Sequence, residues 1–408
     1  MRSRYLIWAG LALSILPIAG FALWLGSLPG VPDAFSPPIV PQAEADAMLV
    51  ALKPPKRVRP LVAVIGLNDA TETTDYLMPI GILRRADVAD VVALSTEPGP
   101  VKLYPALTVE ADATIEIFDA RYSEGADSVI VPAMSRDDDP VVTAWLRKQA
   151  KGGAVVIAIC AGAKMVGAAG LLDERQATTH CYYLRDLLKS RSSIRYAADR
   201  RMVMDRGVAT TTGITASMPM MLTLIEAIAG RDRAEAVAQD LGLDRWDARH
   251  DSSAFQLTRA FVMTVLGNHL AIWSRDHFGI ALEPGLDEVS LALVADAWSR
   301  TYRSKVEVTA TSPAAVTARN GLRLLPDRVS AVRSGERLPH ELRGKKPNEA
   351  LDETLRNIGV RYGEATARVV AMQLEHHYDG SVQSIAALRG AHLNHQEHEV
   401  GAGTPLWR

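Results

Sequence analysis

Two cysteines occur in this 408-residue chain, Cys160 and Cys181. The first stands where a cysteine can do chemistry. It ends the apolar run A-V-V-I-A-I-C at 154–160, and helix-period spacing resumes in A-G-A-K-M-V-G-A-A-G-L-L at 161–172. A side chain at such a strand-to-helix turn projects into the crevice where ligands of open α/β sheets collect. The positive end of the helix favours a thiolate, the form that attacks electrophiles. The small residues Ala161, Gly162 and Ala163 let the turn close tightly. The same position also suits a small buried hydrophobe, so position alone leaves both readings open. Two cysteines are too few for a disulfide scaffold or a cysteine-built zinc module, although a single bridge stays open.

Other chemistry is excluded by what the chain lacks. It has no phosphate-cradling glycine loop, no dinucleotide fingerprint and no H-E-x-x-H pair, and neither a cofactor nor a metal is expected. His376, His377, His392, His395 and His398 crowd the last part of the chain. Imidazoles so spaced suit a transition metal, but without acids in fixed geometry the segment 379–408 reads as a solvated polar tail. A formal net charge of −2 gives no polybasic footprint, so no nucleic acid is expected as a partner.

The elements that must position Cys160 follow from the rhythm of apolar residues. L-V-A-V-I-G at 61–66, V-V-A-L-S at 91–95 and S-V-I-V-P at 128–132 are buried-strand runs. Helical spacing lies between them at about 72–86 and over 141–151, where Gly152-Gly153 forms a stop. Strands buried on both faces and alternating with helices predict a parallel sheet flanked by helices.

The segment I-C-A-G-A-K-M-V-G-A-A-G-L-L-D-E-R-Q-A-T-T-H at 159–180 resembles the nucleophile-elbow signature of the ThiJ/PfpI superfamily, which has the class I glutamine amidotransferase-like, flavodoxin-like fold. It is especially similar to the branch of isocyanide hydratases and AraC-type regulator ligand domains. V-A-T-T-T-G-I-T-A-S-M-P-M-M-L (208–222) and P-G-P-V-K-L-Y-P-A-L-T-V-E-A-D-A (98–113) extend the resemblance over about residues 61–241. It implies Cys160 as nucleophile and, four residues before Pro79, Asp75 as the acid that manages the proton, with Glu72 the competing carboxylate. It offers His180 as a residue orienting the polar network near the thiol, or as a packed histidine. Backbone N–H groups near Ala133, Met134 and Ala161 are the oxyanion candidates, although Ala133-Met134 stands where the family usually has Gly-Gly. Pro219 stands where the branch often has Asp. The implied activity is cysteine-dependent hydrolase or hydratase chemistry on a small electrophile such as an isonitrile, amide or aldehyde. The alternatives are a non-catalytic small-molecule sensor without a helix-turn-helix, and redox sensing through Cys160.

Shifting the chain by 215 positions brings a second, degraded copy into view. G-I-A-L (279–282) falls on the first strand and L-D-E-V-S-L-A-L-V-A-D-A-W-S-R-T-Y (286–302) on the first helix. S-P-A-A-V-T-A-R-N-G-L-R-L-L-P-D (312–327) falls on 97–112, with Val316, Leu322 and Asp327 opposite Val101, Leu107 and Asp112. No cysteine follows Cys181, and Ser290 takes the place of Asp75, so the copy cannot repeat the chemistry. The expected organisation is a ThiJ/PfpI-like domain at 61–245 and a degraded repeat at 246–378 acting as a built-in partner in an intrachain pseudo-dimer. The apolar residues of 255–273 read as a bridging helix.

Ahead of these, Tyr5–Gly26 carries no charge and would extend about 33 Å as a helix, enough to cross a bilayer core. Arg2 and Arg4 precede it. Residues 1–26 are therefore expected to be a transmembrane signal anchor, with a cleaved signal as the alternative and the globular part extracytoplasmic (periplasmic). The proline-rich stretch 27–60 is expected to be an extended spacer with one helical turn near 43–52.

Overall fold

The structure is a computed structural model that describes residues 19–30, 37–329, 336–337, 342, 344–378 and 380. The body through His377 is one compact unit; of the second unit, which begins at Tyr378, only Tyr378 and Gly380 are described. His392, His395 and His398 lie outside the described residues.

The membrane helix expected at the amino terminus is corrected. Among the described residues no helix is long and apolar enough to cross a membrane. The part of the uncharged run that is described is helical, residues 19–27 lying in helix α1. Pro29 follows two residues later, and chain before a proline is biased away from helix. The single-pass membrane placement and the periplasmic location, both inferred from that run, fall with it. The spacer holds more than one turn: α2 (Gln42–Ala51) is a ten-residue helix, with Met48 and Leu52 buried and Glu44 paired to Arg200 at 2.7 Å.

The first βα unit consists of β1 (Leu61–Gly66), β2 (Asp69–Glu72), α3 (Thr73–Ala86) and β3 (Asp90–Ser95). β4 (Pro100–Tyr104), β5 (Thr108–Glu110) and β6 (Ala113–Thr114) follow, then α4 (Ile115–Arg121), β7 (Ser128–Val131), α5 (Pro140–Lys151) and β8 (Val155–Ala158). Asp139 caps α5 by accepting from Val141 and Val142, and Pro140 enters at the first turn, where its missing N–H costs nothing. Beyond Cys160 come α6 (Gly162–Ala168), β9 (Gln176–Ala177), α7 (Cys181–Ser190), β10 (Arg195–Tyr196), β11 (Met202–Asp205), β12 (Val208–Thr211), α8 (Ser217–Ala229) and α9 (Arg231–Leu241). Seven strands form the central sheet in the order β11-β12-β8-β7-β1-β3-β6, parallel except for β11 against β12. All six residues of β1 are buried, as a strand covered on both faces requires.

The second half supplies α10 (Arg259–Leu270), β13 (Asp276–Ala281), α11 (Glu288–Ser299), β14 (Ser304–Ala310), β15 (Val316–Thr317), β16 (Arg323–Leu325), β17 (Arg328–Val329), β18 (Glu336–Arg337), α12 (Pro347–Tyr362) and α13 (Glu364–Leu374). Positions 215 apart play equal parts. Asp112 accepts from the Ala93 N–H at 2.6 Å, and Asp327 accepts from the Val308 N–H at 2.8 Å. β6 pairs with β3 as β17 pairs with β14. The strands β5 and β16 lie side by side, antiparallel, in one five-stranded sheet ordered β15-β16-β5-β4-β2.

Candidate functional site

The turn between β8 and α6 holds Cys160 at φ 54°, a left-handed conformation that a side-chain-bearing residue adopts only when its surroundings enforce it. Two contacts do so. The Cys160 N–H donates to Thr211 Oγ1 at 3.2 Å, and Thr179 Oγ1 donates to the Cys160 carbonyl at 2.9 Å. Gly162 is required beside it, because a Cβ there would lie 2.1 Å from the Val131 carbonyl oxygen. The cysteine is only 3% exposed, and both cysteines are free thiols.

Asp75 is fully buried on the first turn of α3. Its Oδ2 accepts from the Ala133 N–H at 3.0 Å, while its Oδ1 has no hydrogen-bond partner. The Ala133 N–H, expected as an oxyanion donor, therefore holds the acid instead. Met134 forms an isolated antiparallel bridge with Thr71. The Ala161 N–H is a hydrogen-bond donor to the sulfur itself and favours its charged form. Burial, then the negative charge of Glu72, pushes Asp75 well above the usual carboxylate range, against the Ala133 N–H and the Arg300 guanidinium. Burial, then Asp75 and Glu72, likewise pushes the Cys160 thiol well up. Burial and mutual repulsion thus act in the same direction on both groups, each favouring the protonated form.

Glu72, the competing carboxylate, has another task. Its Oε2 accepts from the Asp75 N–H at 2.6 Å and from Thr74 Oγ1 at 2.8 Å, capping α3. Its Oε1 takes the Arg300 guanidinium at 2.7 Å. Arg300 reaches over from the end of α11, and its Nε lies 2.8 Å from both Asp296 oxygens. Motif reading missed Arg300, although the 215-residue offset places it on Arg85 and would have flagged it.

His180 faces away from the role expected of it. Its Nδ1 accepts from the Tyr182 N–H at 3.1 Å, capping α7, and its Nε2 lies 2.9 Å from the Gln373 carbonyl. Its acidic neighbour is Glu375, 3.8 Å from Nδ1, rather than Asp75. A separate cleft under α2, bordered by Met48, Thr223, Arg231 and Trp246, shares no lining residue with the elbow.

With that geometry in view, comparison with known proteins places it. The chain matches the DJ-1/PfpI family over residues 62–227. It is 32% identical over 152 residues to an isonitrile hydratase of Pseudomonas putida, covering 37% of this chain and 62% of that one. It is 27% identical to a Parkinson disease protein 7 homolog of Danio rerio, covering 44% and 95%. It is also 27% identical to the HTH-type transcriptional regulator CdhR of Pseudomonas aeruginosa, covering 50% and 58%. Among solved structures, an AraC family transcriptional regulator from Pseudomonas putida aligns at TM-score 0.39 and 21% identity, over 44% of this chain and 97% of that one. Residues 62–227, with Cys160 at their elbow and Asp75 on their first helix, belong to the DJ-1/PfpI family.

Proposed function

We propose that this protein is a cysteine-dependent hydratase or hydrolase of small electrophiles, with isonitriles as the substrate class to test first. One observation carries the reading: the fully buried carboxyl of Asp75 leaves Oδ1 without a partner within electrostatic reach of Cys160, and burial raises its affinity for a proton. A group held in that state can take a proton and return it during addition. For an isonitrile, Cys160 Sγ would bond to the terminal carbon while its proton passes to Asp75, which returns one proton to the same carbon. That gives a thioimidate. Water then adds across C=N, oxygen to carbon and hydrogen to nitrogen. The C–S bond breaks with the hydroxyl proton returning to sulfur, and an N-formyl amine leaves. The isonitrile hydratase relative supports this choice of substrate. In the same proposal, 246–378 is a degraded copy that serves 61–245 as a built-in partner, supported by the shared sheet and by Arg300.

A second reading has its own support. A thiol 3% exposed, with the Ala133 N–H already engaged, suits a ligand-binding module of the kind suggested by the regulator relative. Redox sensing is the weakest reading, since oxidation starts from the thiolate that burial and Asp75 oppose. The separating experiment incubates the full chain with an alkyl isonitrile and follows formamide by proton NMR. Turnover is expected in the wild type, none in Cys160→Ala, and a loss of about 10²–10⁴-fold in kcat in Asp75→Asn. Calorimetric binding without turnover in the wild type would sink the enzyme and leave the sensor.

A further inference from the structure

Beside the elbow, three side chains from distant parts of the chain converge on one point. His180 and Cys181 open α7, and Glu375 follows α13. His180 Nδ1, Cys181 Sγ and a Glu375 carboxylate oxygen all lie within 4.8 Å of one another. Cys181 Sγ is 3.7 Å from His180 Nδ1, and Nδ1 is 3.8 Å from Glu375 Oε1. Ligand atoms about 2.0–2.3 Å from a tetrahedral zinc ion lie roughly 3.3–3.8 Å from each other, so these two edges already have the size of a coordination polyhedron.

The surroundings hold the three groups in ligating form. With its N–H donated from Nε2 to the Gln373 carbonyl, His180 has its lone pair on Nδ1, the ring nitrogen nearer the cluster, where the Tyr182 N–H now occupies it. Histidine ligands of metals are oriented by this kind of contact through the other ring nitrogen. Glu375 is anchored by N–H donors on both oxygens, Cys181 to Oε1 at 2.6 Å and Gly213 to Oε2 at 2.7 Å. A Cβ at Gly213 would lie 2.5 Å from the Glu375 Cβ, so the glycine makes room for the acid. His250 Nε2 stands 3.8 Å from Oε2 as an outer neighbour. The Glu375 side chain is 1% exposed, and its ion pairs among the described residues are with these two histidines. A buried carboxylate calls for a compensating charge.

We propose that His180, Cys181 and Glu375 bind a divalent ion of the zinc class, leaving a fourth position for water. Thiolate with imidazole selects against magnesium and calcium, and the carboxylate suits a divalent ion. A thiolate and a carboxylate together neutralise Zn²⁺ within the protein. On binding, the Cys181 thiol proton goes to solvent, and the His180 Nδ1 lone pair turns from the Tyr182 N–H to the metal. The ion would tie the end of α13 to the start of α7, whatever Cys160 does.

The test titrates the chelator-stripped full chain with Co²⁺, then displaces it with Zn²⁺. One equivalent is expected to bind with release of one proton, a thiolate-to-cobalt charge-transfer band and intense tetrahedral visible bands, and zinc is expected to bleach those bands without further proton release and to raise the melting temperature above that of the stripped chain. Cys181→Ser is expected to abolish the charge-transfer band, and both Cys181→Ser and Glu375→Gln to weaken binding more than about 100-fold. Cys160→Ser and the triple variant His392→Asn, His395→Asn, His398→Asn are expected to bind as the wild type does. Should Glu375→Gln fail to fold, the half-buried Cys181→Ser still decides, its apo circular dichroism reporting the fold. Charge transfer surviving in Cys181→Ser, its loss in Cys160→Ser, binding lost with the tail histidines, or no binding to the wild type at micromolar metal would each overturn the proposal.

Discussion

Helices α3 and α11 lie 215 positions apart in sequence and against each other in space, yet only α3 carries the carboxyl proposed to manage the proton. Each begins on an acidic cap, Glu72 and Asp287. Each ends on an arginine that crosses to the other helix's cap: Arg300 pairs with Glu72, and Arg85 with Asp287. Reciprocal contacts of this kind are what the proposed built-in partner calls for. Between cap and arginine the helices diverge. Asp75 has Ser290 as its counterpart, whose buried hydroxyl makes no hydrogen bond. Gly81 lets α11 come close, since a Cβ there would lie 2.8 Å from the Glu288 and Val289 side chains, and its counterpart is Asp296. The comparison teaches that α3 and α11 share a cap crossed by the other helix's arginine and differ at the position Asp75 holds.

The largest expected effect breaks that reciprocity on one side. Arg300→Met strands Glu72 and the fully buried Asp296 without their cation, and the expected loss is about 3–5 kcal/mol in denaturant unfolding. Arg85→Met is expected to cost less, about 1.5–3 kcal/mol, because Asp287 keeps Arg319 at 3.4 Å. Equal losses would show that the two crossings are interchangeable and that the asymmetry of the site does not depend on Arg300.

What the sequence disclosed about this arrangement depended on distance along the chain. The strand-to-helix turn at Cys160 and the alternating strands were legible because each rests on local spacing, and the place of Asp75 on the first helix because the family resemblance sets an acid four residues before Pro79. The repeat was legible because an offset keeps its phase, and it carried Arg300 unnoticed as the counterpart of Arg85. The grouping of Glu375 with His180 and Cys181 was not legible, since tertiary packing alone brings α13 to the start of α7. The direction of His180 was hidden for the same reason. The uncharged amino-terminal run misled because length and hydropathy alone do not establish a membrane-spanning helix, and among the described residues none is long and apolar enough.

A smaller effect separates Asp75 from its silent counterpart by pH. Burial and Glu72 raise the folded-state affinity of Asp75 for its proton. A carboxyl raised in the folded state binds more protons there than in the unfolded chain. Its contribution is therefore complete below about pH 3.9 and is lost as pH rises toward the folded value. Asp75→Asn cannot ionise, so the stability of this variant relative to wild type is expected to improve steadily from pH 4 upward, read as the urea midpoint across pH. At pH values where Asp75 ionises its charge opposes the thiolate, so Cys160 alkylation is expected to begin at lower pH in Asp75→Asn. Urea midpoints that run parallel across pH would mean that the proton affinity of Asp75 is not raised by folding and that it holds no proton for chemistry.

The smallest expected effect lies on the seam where the two halves share a sheet. Arg323 pairs with Glu110 across β16 and β5 at 2.5 Å, but the side chains are 55% and 40% exposed. Water and salt screen such a pair, so Arg323→Ala is expected to cost about 0–1 kcal/mol and less still at high ionic strength. The seam is held instead by the backbone ladder through Val109 and Leu324, both buried and directly opposed. Leu324→Ala, which empties part of that contact, is expected to cost about 2–5 kcal/mol in the same unfolding assay. If Arg323→Ala proved the costlier of the two, the halves would be joined by charge at this edge as they are between α3 and α11, rather than by apolar packing.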